Sequence, residues 1–339
     1  MKRHRVLGKH SYLLICVLAV VLMAASCSPT ETSPNDSSGA EAPGTPRPDS
    51  PAVPPMSLYL PQEGSWDFPK DRPTGRTPSR EGVLEIEGLG PFTFDPAEIQ
   101  TVRPDVFTAG HFSLFDVLVH LADKGWYTLD YHYDICLDTH VIEELNGEMN
   151  WWYRAHYAGG WYEINAYRMD TYPFKDGTHI RMRQQTEDHI GRLYNSFAEE
   201  VMRKSHNQGR TVIPEVRIGA ALYSDVPVSA HDARSDVLQP GTITALDVLL
   251  SLADQKKINQ MKLTWYGSIG DADPVDSFWV EQIDDGDGLS DQEASPTAGG
   301  WVYETGSLDF PGFQGSHIHI PSDVRTIVSP EYMTWYWLG

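Results

Sequence analysis

Apolar positions recur in two registers along residues 81–320, one helical and one alternating. Val117, Leu118 and Leu121 form a single stripe at helical spacing, and Val248, Leu249 and Leu252 form another. Ser113 or Thr244 stands before each stripe as an N-cap. Asp116 or Asp247, three residues on, supplies the acidic half of a capping box. Short strands are expected ahead of the helices, over 83–87 and 213–218. After the first helix, strict alternation predicts a strand with Leu129, Tyr131, Tyr133 and Ile135 inward and Asp130, His132 and Asp134 outward. Aromatic strands follow around 151–157, 161–165 and 178–183. Ile190, Leu193, Tyr194, Phe197 and Val201 predict a further helix over 186–203, stopped by Asn207-Gln208-Gly209.

The pattern occurs twice. Asp105-Val106-Phe107 and Gly110 match Asp236-Val237-Leu238 and Gly241 at an offset of 131, and SLFDVLVHLAD (113–123) matches TALDVLLSLAD (244–254) at the same offset. LDYHYDI (129–135) matches LTWYGSI (263–269), AGGW (158–161) matches AGGW (298–301), and GTHIRM (177–182) matches GSHIHI (315–320), all in order. One helix on a small mixed sheet, repeated, predicts an α+β chain of two tandem β-grasp-like repeats, 81–185 and 210–320. A connector helix over 186–209 joins them, and 321–339 is left as a C-terminal aromatic tail.

The beginning of the chain is of another kind. A basic segment, MKRHRVLGKH, precedes an apolar run from Tyr12 to Ala25 that ends at Ala24-Ala25-Ser26-Cys27. This layout is that of a secretory signal over 1–26. Small residues followed directly by Cys resemble the lipobox of bacterial lipoproteins, which implies lipidation of Cys27 and a place in the bacterial cell envelope, outside the cytoplasmic membrane. Residues 27–57 then read as a disordered Pro/Ser-rich tether: 28–55 hold eight of the 24 prolines. The membrane is thus an expected partner through the N-terminal lipid.

Charge narrows the other partners. Lys and Arg number 26 against 47 Asp and Glu, a formal net charge of −21. A surface that acidic repels phosphate backbones, so nucleic acid is not an expected partner. Cys16 would leave with the signal and Cys27 would carry lipid. Cys136 then remains alone, expected as a small core thiol.

Helix motif xxDVLxxLA, a Trp-rich strand, GGWYEIN and DGTHIRM together resemble the C-terminal β-grasp-like domain of transcobalamin and intrinsic factor, which recurs in bacterial surface proteins. In those vitamin carriers the domain closes over a corrinoid held mainly by a helical barrel, and no such barrel is legible here. The resemblance implies an extracytoplasmic binding module for a small molecule, glycan or envelope protein. Trp151, Trp152, Tyr157 and Trp161 are its candidate ligand-binding aromatics, since Trp151 and Trp152 fall on opposite faces of one strand.

Three polar groups compete with that reading. Residues 284–293 resemble the calcium loops of dockerin-like repeats. Asp285, Asp287, the Leu289 carbonyl, Asp291 and Glu293 are the candidate ligands, and Ca2+ the candidate cation. Asp130, His132 and Asp134, or His317 and His319, are the candidate ligands of a metal-dependent extracytoplasmic enzyme. No nucleophile elbow, phosphate loop, HExxH or CxxC is present, so no catalytic residue is assigned. A structural envelope protein is the remaining class.

Overall fold

The structure, a computed structural model, describes residues 57–59, 74–156, 167–258, 260–268, 273–284, 300–308 and 320–338. The expected signal, Cys27 and most of the tether lie outside them. The chain is α+β. In order, its elements are β1 (Ser57–Tyr59), β2 (Gly82–Ile86), β3 (Gly90–Phe94), α1 (Leu114–Asp123), β4 (Leu129–Asp134), β5 (Thr139–Leu145), β6 (Trp151–His156) and β7 (His179–Gln184). Then come α2 (Glu187–His206), β8 (Thr211–Ile218), β9 (Ala221–Val228), α3 (Ala245–Asp254), β10 (Gln260–Tyr266), β11 (Ser277–Asp284), β12 (Gly300–Gly306) and β13 (Tyr332–Leu338).

Two mixed four-stranded sheets share one pattern. The first has the order β3-β2-β7-β6 and the second β9-β8-β13-β12. In each, the two central strands are parallel and the outer pairs antiparallel. Phe115 and Leu118 of α1 are fully buried with Leu84, Ile180 and Met182 of the first sheet. Leu249 and Leu252 of α3 are buried with Val216, Ile218 and Met333 of the second. Both capping boxes form: Ser113 Oγ accepts from Asp116 N at 3.1 Å, and Asp247 Oδ2 accepts from Thr244 N at 2.6 Å. The free carboxylate oxygen of each cap aspartate holds an incoming loop, accepting from Val102 N at 2.7 Å or His231 N at 2.9 Å.

The pairing of the two halves differs from the sequence match in its last third. The strand parallel to β8, as β7 is to β2, is Tyr332–Leu338, so the residues set aside as a tail build the centre of the second sheet. GSHIHI lies almost wholly outside the described residues. Trp161 lies outside the described residues, and Trp301 occupies on β12 the ladder place of Trp151 on β6. Two residues on from each, Tyr153 and Tyr303 both donate their hydroxyls at 2.6 Å to a backbone carbonyl, of Tyr167 and Ile320. A Gly-Gly-Trp motif is short enough to match out of register.

Alternation also fails at one end. A register shift between Asp130 and Tyr131 and the two-stranded width of the β4–β5 ribbon leave Tyr133 and Ile135 exposed rather than inward. Cys136 is half-buried in the turn that follows, its N–H donating to Asp134 Oδ1 at 2.8 Å, and is not a core thiol. The β10–β11 ribbon is wider, because β1 adds a third strand along β10.

Beneath both helices lies a buried ion cluster that occurs twice. Arg103 bonds Asp105 through Nε and Nη2 and reaches Asp170 Oδ2 from Nη1 at 2.8 Å. Arg234 bonds Asp236 and reaches Asp323 Oδ2 at 2.9 Å in the same way. Asp170 and Asp323 are fully buried. Each also accepts from the backbone of the ribbon's second strand, from His140 N at 3.0 Å or Phe278 N at 2.9 Å. The two Asp-Val segments then meet: Thr108 N donates to Val237 O at 3.0 Å and Gln239 N to Val106 O at 2.8 Å. Val106, Phe107, Val237 and Leu238 form a core of their own at that crossing. Ile320 and Val324, from the second half, are buried in the first half's core.

Removing one partner of a buried pair strands the other's charge. Arg103→Ala and Arg234→Ala are therefore each expected to lower unfolding stability by about 3–5 kcal/mol in urea titrations. Arg181→Ala, which loses a partly exposed pair with Glu85, should cost less than about 1 kcal/mol.

Candidate functional site

Where the halves meet, a small cavity of about 20 Å3, room for one water, is lined in part by Arg76, His111, Lys175, Arg234 and Asp276. Lys175 crosses from the first half, its ammonium donating to Val275 O and, at 3.2 Å, to Ser277 Oγ. Arg76 is held by Asp276 Oδ2 at 2.8 Å and Asp273 Oδ1 at 2.7 Å. Gly75 N donates to Asp236 Oδ2 at 2.7 Å, which ties this segment to the Arg234 cluster.

Electrostatics here follow from burial. Burial pushes the Lys175 ammonium down from 10.5 to about 8, and the Arg234 charge acts in the same direction against the three nearby aspartates. Burial likewise lowers His111 below its ordinary value, which favours a neutral imidazole at the cavity wall. Burial alone would raise the Asp170 carboxyl, but the His140 hydrogen bond and the Arg103 charge outweigh it and hold it low. Chemically, an amine near its midpoint can carry a proton. The cavity, however, has no room for a substrate beside it. Lys175 fastens the halves together.

The sequence-selected residues fall elsewhere. Trp151 and Trp152, the candidates on opposite faces of one strand, are both buried. Both sheet faces are covered at that point. Trp152 packs against Tyr194 and Phe197 of α2, and Trp151 lies in the core on the other side, its Nε1 donating to Glu148 O at 2.9 Å. Tyr157, Trp161, His317, His319 and the calcium-loop residues Asp285, Asp287, Leu289, Asp291 and Glu293 lie outside the described residues. Of the strand trio, His132 Nδ1 lies 3.0 Å from Glu143, and Asp134 accepts from Cys136 N in the turn. Among the described residues no group of three or more His, Cys, Asp or Glu is placed to hold a metal ion. Nor is any described helix long and apolar enough to cross a membrane.

No family model, curated protein or solved structure matches this chain.

Arg103 and Arg234 were legible as a pair, since Arg-x-Asp-Val recurs at the offset of 131. Lys175 carries no such signal, because nothing at its place in the second half is a cation of like role. Its titration is testable. Native Lys175 binds its proton more weakly than the unfolded chain does, so stability should rise with pH between about 8 and 10.5. Urea midpoints of wild type and Lys175→Met should diverge across that window. Parallel curves would contradict the assignment.

Proposed function

We propose that the chain is a bacterial envelope lipoprotein, anchored through Cys27, whose two tandem β-grasp-like repeats form a non-enzymatic binding module. In this reading the repeats resemble the C-terminal domain of transcobalamin and intrinsic factor, and the ligand is a small molecule, glycan or protein. One observation carries it. The ion-cluster bonds recur, as Arg103, Asp105 and Asp170 against Arg234, Asp236 and Asp323, while Arg154, Arg181 and Arg183 on β6 and β7 are not repeated by Glu304, Thr334 and Tyr336 on β12 and β13. A scaffold copied in its interior and varied on its surface is what a reused binding fold requires, since function resides in the site and not in the fold.

The anchor is supported by the basic start, the apolar run and the small residues ahead of Cys27. A lipid and a Pro-rich spacer would hold the folded part off the membrane. Metabolic labelling with a fatty acid should mark the wild-type chain and not Cys27→Ala. Equal labelling of both, or of neither, would end the anchored reading.

A further inference from the structure

Trp152, Arg154 and His156 share one face of β6, and their neighbours across the ladder on β7 are Arg183, Arg181 and His179. α2 covers the Trp152 end of this face. Beside that cover, at the exposed Arg183, and beyond it the face is cationic. Arg181 is paired with Glu85 at 2.8 Å, and on the first turns of α2 Arg192 is paired with Asp188 at 3.1 Å. The half-buried Arg154 and the exposed Arg183 have neither an ion-pair nor a hydrogen-bond partner for their guanidinium groups among the described residues. Burial and the Arg183 charge lower the Arg154 pKa, and the Arg192 and Arg154 charges add to burial in lowering His189.

That arrangement is out of keeping with the chain, which has 47 acidic residues for 26 Lys and Arg. It is not a demand of the sheet either. The second half carries Val302, Glu304 and Gly306 on β12, facing Tyr336, Thr334 and Tyr332 on β13. There Glu304 stands at the place of Arg154 and accepts from the Tyr332 hydroxyl at 2.6 Å. Two guanidinium groups side by side repel, and a ligand with several oxygens relieves this by accepting from both at once.

We propose that this face of the first sheet is an oxyanion-binding site, with Arg154 and Arg183 as its two free donors, for a phosphate, sulfate or carboxylate group borne by the module's ligand. The site rests on the reading of the folded part as a binding module and names where and what it binds. Half-burial of Arg154 places one donor out of competition with bulk water, and exposure of Arg183 leaves the approach open.

Calorimetric titration of the full chain in mild detergent with sodium pyrophosphate, at ionic strength matched with sodium chloride, tests it. Saturable binding is expected, at least tenfold weaker in Arg154→Gln and in Arg183→Gln. Arg217→Gln, on β8 of the other sheet, should bind as wild type does. Without ligand, Arg154→Gln should melt no lower than wild type, because no partner is lost; a purely structural arginine would lower the Tm. Sulfate and acetate, titrated alike, separate a doubly charged group from a carboxylate as the preferred oxyanion. Equal affinity in wild type and both arginine variants, or heat reproduced by chloride alone, overturns the site. Phosphorus NMR keeps the two ideas apart. Pyrophosphate recovered intact agrees with binding alone, whereas orthophosphate formed by wild type but not by Arg154→Gln would uphold the site and overturn the non-enzymatic reading.

Discussion

A guanidinium taken out of water must be met by anions, and each half of this chain meets one with a neighbouring aspartate and a fully buried one, Asp138 adding a third to Arg103 in the first half. The pairing decides more than local charge. Asp105 and Asp236 sit at the turn where the halves cross, and Asp170 and Asp323 sit where the chain passes beneath a helix N-terminus. Leu114 N donates to Tyr172 O at 2.9 Å, and Ala245 N donates to Arg325 O at 2.8 Å, so the segment after each buried aspartate also binds the helix start. One arginine thereby fixes a loop, a ribbon, a helix end and the crossing to the other half. Such a pair adds little net stability over apolar packing, but its geometry tolerates few alternatives.

Local chemistry was the legible part of the fold. The capping boxes at Ser113 and Thr244 are formed by residues three apart, and the stripe on α2 by residues three and four apart, so sequence spacing alone carries them. What depends on distant segments was not legible. Asp170 and Asp323 lie in RMDTYPF and PSDVRTI, which share only the aspartate, and no periodicity marks it. Without that anchor the sequence match drifted, taking GSHIHI for the partner of β7 and leaving Tyr332–Leu338 as a tail. Tyr332 to Trp337 are all buried or half-buried, and a run such as YMTWYWL has no polar–apolar alternation to announce a strand.

The site shows the same division. Aromatic residues drew notice as ligand contacts, yet Trp151 and Trp152 are consumed by packing, since helices or core cover both faces of β6 at that end. The charged residues of that strand and of β7 attracted none, because Arg154, Arg181 and Arg183 read as the wet side of alternating strands. Only cross-strand register places them together, and only comparison with Glu304, Thr334 and Tyr336 marks them as particular to one half. Divergence between halves that agree in their buried bonds is a signal a single strand cannot carry.

If the buried arginines bind the halves into one folding unit, damage to one must be felt by both. Native-state hydrogen exchange in Arg103→Ala measures this most directly. The amides of Thr108 and Gln239 at the crossing, and core amides on β2 and β8, are expected to lose the same opening free energy as the whole molecule. Loss confined to β2, β6 and β7, with β8 and β13 protected as in wild type, would show two halves that fold independently and would contradict the central role of the crossing.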